Sequence, residues 1–472
     1  MTSVVHGVTR ALVVSALACG AGACADPAPL SPRIVHGLDD MPLRGADTLL
    51  VTVEQGGVAL EGREVRVPLP ATGFELLDVP LGRDLALRAE AFAGNVPLAR
   101  GRSLPFNYPT ASEVPAGPDV LVATLGRFTR TLETSLELVA VLPSARGAIV
   151  VSSSGEILSY EAHGGSDGGA VLASLGEAPA RAGARWVTLV DPSGAEALLG
   201  VGGADDGASV IDALGRLAVT LPGSGDGPRV DIALGSASDG SFAIAAGGAD
   251  AHGVPSDRLA RFELTGPTTL VRTELAPLGA ARSHAEIALV PAEFGGEVRD
   301  AAVVAGGGAS DTIELVDPRT GPRASVPLDP VLDGRAWVAV ETGLLVAAGG
   351  MDAARITTDA VDLYLVRPDV EPPIARVTPT PSPLFAPRGH AVPLRLGPGL
   401  ALFVSGTDEA ALRVRGAELV EVRLDALPGD VVPTGSLPVE ASARALARLR
   451  DHSVLVVGRG LVAAYVPPRG PD

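Results

Sequence analysis

An internal repeat in residues 128–472 constrains the fold more than any other feature of this sequence. An apolar, strand-like segment ends in a doublet of small residues or glycines. This pattern occurs seven times, and successive doublets are about 43 to 59 residues apart. The seven segments are 149–153, 198–203, 244–248, 303–307, 344–350, 402–406 and 455–458. Repeats with periods of about 20 to 50 residues are typical of architectures in which each unit buries its apolar face against the next. The sequence therefore predicts seven similar β units.

An arginine lies upstream of each doublet. The seven arginines are Arg146, Arg185, Arg229, Arg282, Arg335, Arg388 and Arg444, and the last five are spaced by 53, 53, 53 and 56 residues. In two units the arginine is part of an Arg-x-His triplet, ending at His284 and His390. The unit around Arg282 continues through a diglycine strand to an Asp-Pro turn at 317–318.

These features resemble the kelch repeat, closely around Arg282 and more loosely elsewhere. Kelch repeats form β-propellers whose blades are four-stranded antiparallel sheets around an axis, so the resemblance implies seven such blades. The last unit, from Arg444, offers only three strands before Pro467-Pro468. We therefore expect residues near 128–142 to complete the last blade, because an unpaired sheet edge is a liability.

The N-terminal part of the mature chain has a different pattern. Short segments with period-two alternation, such as 48–54 and 85–92, are separated by turn residues between 46 and 127. Residues 26–45 are rich in proline and polar residues and predict a flexible tether. The fold class predicted is all-β: a small antiparallel β-sandwich (46–127) followed by a seven-bladed kelch-like β-propeller (128–472).

Residues 1–25 resemble a bacterial export signal, with Arg10 before an apolar run at 11–17. Both cysteines, Cys19 and Cys24, lie in this segment. Residues 21–24 resemble a lipobox that would make Cys24 the lipidated residue, whereas residues 23–25 also fit an ordinary signal-peptidase site. We expect a lipoprotein at the outer membrane, facing the periplasm or the cell surface, attached through its lipid anchor only. A soluble secreted form is the alternative.

The charge balance narrows the choice of partners. The chain carries 37 basic and 55 acidic residues, a formal net charge of −18, and this argues against nucleic acid, whose phosphates need a basic surface. An aspartate follows five of the doublets, and repetition would place these carboxylates around one opening of the ring. The residues are Asp205, Asp250, Asp311, Asp352 and Asp408. They are candidate partner-binding residues, although glycine followed by aspartate is also ordinary turn chemistry.

Catalytic signals are weak in this sequence. No histidine or cysteine pair has metal-ligand spacing, and no nucleophile elbow precedes a helix. His284 and His390 occupy equivalent repeat positions, so we expect them to pack inside blades, as we do Trp186 and Trp337. The sequence thus predicts a monomeric, non-catalytic binding protein of the cell envelope without metal or cofactor, whose partner is another envelope or extracellular protein.

The alternative function is glycan binding or action on a polysaccharide. Only 3% of the residues are aromatic, which disfavours sugar-stacking platforms. A propeller enzyme would instead show paired carboxylates with raised pKa values at the ring mouth.

Overall fold

The computed structural model describes residues 29–468, except 71–73, 78, 109–116, 163–169, 180–182, 204–205, 224–227, 308–310, 408–415, 423–428 and 438–441. Every regular element in these ranges is a β-strand. Consequently, the described part of the chain holds no helix that could cross a membrane.

The first seven strands form one sheet. They are β1 (Arg33–Val35), β2 (Thr48–Gln55), β3 (Val58–Pro68), β4 (Gly82–Ala93), β5 (Val96–Ser103), β6 (Phe106–Tyr108) and β7 (Asp119–Thr124). The strand order is β1-β7-β5-β4-β2-β3, and β6 pairs with the start of β4. Because β5 and β6 follow one edge of the long β4, hydrogen bonding is continuous. In place of the second layer of a sandwich, Leu30, Leu76 and Val79 cover the buried face of this sheet.

Part of the predicted tether is folded, which corrects that prediction for residues 30–45. β1 pairs in parallel with β7, and Leu30 is buried in the core of the sheet. The buried Asp40 carboxylate accepts hydrogen bonds from the backbone N–H and the hydroxyl of Thr124, at 2.8 and 2.7 Å. Proline-rich composition suggested an extended chain, but it does not show whether that chain pairs with a sheet.

The remaining strands form seven four-stranded antiparallel sheets, which are the blades of a propeller. Blade 1 contains β9 (Leu138–Ser144), β10 (Gly147–Ser152), β11 (Glu156–Glu161) and β12 (Val171–Glu177). Blade 2 contains β13 (Arg185–Val190), β14 (Glu196–Val201), β15 (Ala208–Asp212) and β16 (Leu217–Leu221). Blade 3 contains β17 (Ala233–Ser236), β18 (Phe242–Ala246), β19 (Leu259–Gly266) and β20 (Thr269–Glu274). Blade 4 contains β21 (Glu286–Phe294), β22 (Glu297–Ala305), β23 (Thr312–Asp317) and β24 (Gly321–Pro327).

The last three blades follow the same plan. Blade 5 contains β25 (Ala336–Glu341), β26 (Leu344–Ala348), β27 (Val361–Val366) and β28 (Ile374–Arg376). Blade 6 contains β29 (Val392–Gly397), β30 (Leu400–Val404), β31 (Gly416–Glu421) and β32 (Asp430–Ser436). Blade 7 contains β33 (Ala443–Arg448), β34 (Val454–Gly458), β35 (Leu461–Tyr465) and, as its outer strand, β8 (Phe128–Leu132). The predicted all-β fold with a seven-bladed propeller is therefore confirmed.

The ring is closed by β8. This strand pairs antiparallel with β35, and the Phe128 ring stacks on Tyr465 with ring centroids 4.6 Å apart. The innermost strand of blade 7, β33, contacts β9 of blade 1. Only the first part of the predicted closing segment has that role, because residues 138–142 belong to β9.

The glycine doublets join neighbouring blades. The second glycine of a doublet donates its N–H to a backbone carbonyl that precedes the next blade: Gly203 to Arg229 O at 2.8 Å, Gly248 to Arg282 O at 2.8 Å and Gly350 to Arg388 O at 2.7 Å. These three glycines have φ values of 92°, 101° and 114°, which L side chains rarely adopt. The repeated doublet therefore reflects a backbone contact between blades.

Three repeat arginines pair with a buried carboxylate in the third strand of their own blade. The pairs are Arg282–Glu314 at 2.9 Å, Arg335–Asp362 at 2.6 Å and Arg388–Glu418. Arg335 does so from a position three residues later in its loop, next to β25. Arg146, Arg185 and Arg444 are exposed. The repeat arginines therefore do not all have the same structural role, although their spacing in the sequence suggested that they would.

Candidate functional site at the mouth of the propeller

The loops that enter the innermost strands of blades 3 to 6 share an unusual backbone conformation. Two residues before each strand, the chain has a positive φ: 53° at Asp231, 59° at His284, 62° at Gly334 and 55° at His390. Non-glycine residues rarely adopt this conformation, and such strain is concentrated at functional sites. These blades are consecutive in the ring, so the four residues follow one arc of the opening of the central channel.

Contacts between neighbouring blades order this arc. The backbone N–H of His284 donates to Asp231 O at 3.1 Å, and that of His390 donates to Gly334 O at 2.7 Å. The imidazole Nε2 of His284 lies 3.2 Å from the Asp231 carboxylate. The His390 ring lies over Gly334, where a Cβ would fall 2.5 Å from its Cε1. Asp231 therefore orients His284, and a glycine leaves room for His390.

A second set of charged residues lies near the starts of the innermost strands, about two residues after the positions with positive φ. Glu286 is the first residue of β21, and Arg185 is the first residue of β13, the innermost strand of blade 2. In the sheet register, Glu286 is opposite Ala305 and Arg185 is opposite Val201, and each of these partners is the last residue of the second strand of its blade. Glu286 and Arg185 therefore occupy the same level of the ring. Asp333, just before Gly334, has a buried Oδ1 without a hydrogen-bond partner. We call Arg185, Asp231, His284, Glu286, Asp333 and His390 the mouth cluster.

The groups of the mouth cluster influence one another's titration. Burial raises the pKa of Glu286 to about 7; Asp333 also raises it, whereas Arg185 lowers it. Burial likewise lowers the pKa of His390, and Arg185 and His284 contribute in the same direction against Asp333. At neutral pH, therefore, Glu286 exchanges a proton readily and His390 is a neutral imidazole.

This arrangement can support general acid–base chemistry. Proton transfer is most efficient when the pKa of the catalytic group lies near the working pH, and burial beside another carboxylate is a common way to reach that value. Glu286 and Asp333 are the carboxylates with this relationship here. Arg185 is exposed and forms no ion pair within the described ranges, so its guanidinium is available to an anionic or hydroxyl-bearing ligand.

The predicted partner-binding aspartates have other roles where they are described. The carboxylate of Asp250 accepts backbone hydrogen bonds from His252 and Val254, and that of Asp352 accepts them from Ala354 and Ile356, at 2.8 to 2.9 Å. Both carboxylates thus cap their own turns. Asp311 is exposed, and its backbone carbonyl accepts from the N–H of Leu328. Asp205 and Asp408 lie outside the described residues, so the acidic face stays a prediction.

The histidine prediction was wrong and the tryptophan prediction was right. The side chains of His284 and His390 are exposed at the mouth, because their left-handed backbone turns them away from the blade interior. Trp186 packs on Gly200, and Trp337 packs on Tyr364 with ring centroids 5.0 Å apart.

Sequence reasoning missed Glu286, Arg185 and Asp333. A signal was present, because Glu286 follows an Arg-x-His triplet by two residues, where the innermost strands of blades 3, 5 and 6 begin with Ala233, Ala336 and Val392. A charged residue at a repeat position that is otherwise apolar indicates function. To make this comparison from the sequence, one must know where each innermost strand begins. The doublets do not define those positions.

The mouth differs from a cavity of about 400 Å³ that lies on the opposite face between blades 3 and 4. Charged groups in that cavity have partners within the protein: Arg299 lies 3.1 Å from Asp317, and one oxygen of Asp300 accepts from the Ser238 N–H at 3.0 Å. In the described ranges, no group of three or more His, Cys, Asp or Glu residues is arranged to hold a metal ion.

Comparisons with known proteins found similarity to solved structures at low sequence identity. No protein-family model and no curated protein matches the chain. Among solved structures, it is similar to one titled "Structure of YjhT", at 13% identity and a TM-score of 0.43, over 64% of this chain and 99% of that one. It is also similar to "Streptogramin B lyase structure", at 12% identity and a TM-score of 0.44, over 71% of this chain and 96% of that one.

The prediction that the chain is not an enzyme is wrong. It rested on the absence of sequence motifs alone, and such an absence does not exclude catalysis. The mouth cluster also contains the neighbouring carboxylates, one with a raised pKa, that the sequence analysis named as the mark of a propeller enzyme. What the fold itself establishes is a seven-bladed β-propeller.

Proposed function

We propose that this protein is a carbohydrate-active propeller whose mouth cluster performs general acid–base catalysis. The observation that carries the proposal is Glu286, a carboxyl group with a pKa of about 7 beside Asp333 at the opening of the channel. Neighbouring carboxylates kept in different protonation states are the usual machinery for glycosidic bonds. In this proposal, Glu286 donates or accepts the proton, and Asp333 is the neighbouring carboxyl group of the pair.

The other members of the cluster bind and orient the substrate. His284, held by Asp231 at 3.2 Å, presents an imidazole to the opening, and the neutral His390 presents a second one. Arg185 supplies a planar cation suited to a carboxylate or to adjacent hydroxyl groups. On the same side, Phe385 lies in the loop leading to His390 and is 65% exposed, which offers an apolar surface to a sugar ring.

The first test is turnover by the purified full chain. We expect activity within a panel of 4-nitrophenyl glycosides, followed as nitrophenolate release, or of uronate oligosaccharides, followed as absorbance of the unsaturated product. Glu286→Gln should lower kcat/KM by about 10²- to 10⁴-fold, because it removes the transferable proton while preserving shape. The pH profile of the wild type should have an inflection near pH 7.

The matched control is Glu293→Gln. Glu293 lies on the same strand, β21, but is exposed at the far end from the mouth. This variant should retain wild-type kinetics. Equal losses in both variants, or no turnover and no perturbation of the His284 and His390 imidazole NMR signals by any panel member, would contradict the proposal.

Several earlier expectations stay predictions. Cys24 and the export segment lie outside the described residues, so lipidation, the envelope location, the monomeric state and the kelch type of the repeat are carried forward as proposals from the sequence. Protein binding by an acidic face gains no support from Asp250 and Asp352, whose carboxylates are engaged in their own turns.

A further inference from the structure

A second polar cavity, of about 230 Å³, lies where the N-terminal sheet meets blade 7. The sheet contributes Arg88, Arg100 and Arg102, and the propeller contributes the 451–453 hairpin between β33 and β34. Arg102 is 8% exposed and joins the two sides, because its Nη1 donates to the carbonyl of Arg450 at 2.9 Å. The cavity is thus built from both parts of the chain.

Positive charge is concentrated on the sheet side. Arg88 and Arg102 are directly opposite each other on β4 and β5, an arrangement of like charges that is normally destabilising. They share one carboxylate, Glu54, at 3.5 and 2.7 Å, while Arg100 pairs with Glu90 at 2.8 Å. The Nε of Arg88 is buried without a hydrogen-bond partner. Three guanidinium groups therefore lie close to Glu54 and Glu90, and Asp451 is a further carboxyl group that lines the cavity.

The positive charge on the sheet side affects the pKa of His452 on the propeller side. His452 lies in the cavity with a φ of 66°, and burial lowers its pKa to about 4, with Arg102 and Arg448 contributing. The imidazole is therefore neutral at neutral pH and adds no positive charge to that of the arginines. Next to it, the Asp451 carboxylate is occupied by the backbone N–H and the hydroxyl of Ser453, at 3.0 and 2.6 Å.

We propose that this cavity binds a small oxyanion, a free sulfate or phosphate ion or the phosphate group of a small monoester. Arg88 and Arg100 contact the anion beside Arg102. Arginine suits this role because its planar fork matches the oxygens of such groups. The anion offers an acceptor oxygen to the buried Nε of Arg88, which has no hydrogen-bond partner, and it links the sheet to blade 7.

The test is isothermal titration of the full chain with sodium sulfate, with sodium chloride at matched ionic strength as the reference. Sulfate keeps its charge between pH 4 and 8, so its binding can be compared across that range. We expect saturable binding of one sulfate, weakened tenfold or more by Arg88→Gln. Arg63→Gln removes an exposed arginine from β3 of the same sheet and should change the affinity less than twofold.

A second readout separates a bound ion from general screening. A sulfate in the cavity should raise the pKa of His452, followed by NMR of its imidazole, by about one unit or more in the wild type but not in Arg88→Gln. No saturable heat, equal weakening by Arg63→Gln, or an unchanged His452 titration would overturn the proposal. Inorganic phosphate and glycerol 3-phosphate, titrated in parallel, identify the source of the anion: tighter binding of the ester supports a monoester, and equal binding supports the free ion.

Discussion

Glu286 has opposite consequences for chemistry and for stability. Its raised pKa, about 7 against 4.5 for an ordinary glutamate, means that the folded protein prefers the protonated carboxyl. Ionisation therefore destabilises the folded state as pH rises from 4.5 to 7, and the penalty is complete above pH 7. The same property makes the group a proton donor and acceptor at neutral pH.

We expect Glu286→Gln to be more stable than the wild type at pH 8, by about 1 to 3 kcal/mol, because glutamine mimics the protonated form. At pH 4 the glutamate is protonated in both the folded and unfolded states, so this difference should vanish. Urea denaturation at the two pH values measures it. A difference that is constant with pH would mean that packing, rather than ionisation, distinguishes the variant.

At the scale of single elements, the buried arginine–carboxylate pairs fix the loops before blades 4, 5 and 6 to the third strands of those blades. Arg388 also donates to the carbonyl of Gly416 at 2.7 Å, so it links the blade 6 entry loop to the start of β31. Burial raises the pKa of Glu418, and Arg388 opposes that effect. Removing the arginine would leave a buried carboxylate without its cation.

Arg388→Met should therefore lower the free energy of unfolding by about 3 to 5 kcal/mol, the usual effect of breaking a buried ion pair. The double variant Arg388→Met/Glu418→Met should recover much of that loss, since no uncompensated charge remains. Arg444→Met changes an exposed arginine and should shift stability by less than about 0.5 kcal/mol. Additive losses in the double variant would show that packing dominates; thermal and urea unfolding provide the values.

The same elements show what the sequence could and could not predict. The seven doublets predicted seven blades because the pattern recurs once in each blade. At Gly203, Gly248 and Gly350 the doublet marks a backbone contact between neighbouring blades, in a conformation that L side chains rarely adopt. The arginine spacing was less informative: Arg335 reaches Asp362 from a shifted position, and Arg185 lies in the mouth. The mouth cluster was missed because its members, distant in the chain, meet only through the ring, and because the Arg-x-His triplets do not show that His284 and His390 adopt a left-handed turn.

For the whole molecule, β8 determines whether the propeller is a closed ring. A chain beginning at residue 126 retains β8 and should fold as a propeller with a single cooperative melting transition. A chain beginning at residue 134 lacks β8 and leaves the edge of β35 open, so we expect a lower Tm and association through that edge. Calorimetry and light scattering distinguish these results. Equal Tm values for the two chains would show that the closing strand contributes little.

The same strand imposes an order of events during synthesis. Leu132 pairs with Val462, about 330 residues later, so β8 leaves the ribosome long before its partner exists. Closing a segment of that length costs about 3 kcal/mol more chain entropy than closing a ten-residue hairpin. Blades 1 to 6 can form as they emerge, but blade 7 cannot be completed until β35 has been made. A ribosome that stalls anywhere in the last blade therefore leaves a nearly complete propeller with two unpaired edges, a substrate for quality control rather than a shorter working protein.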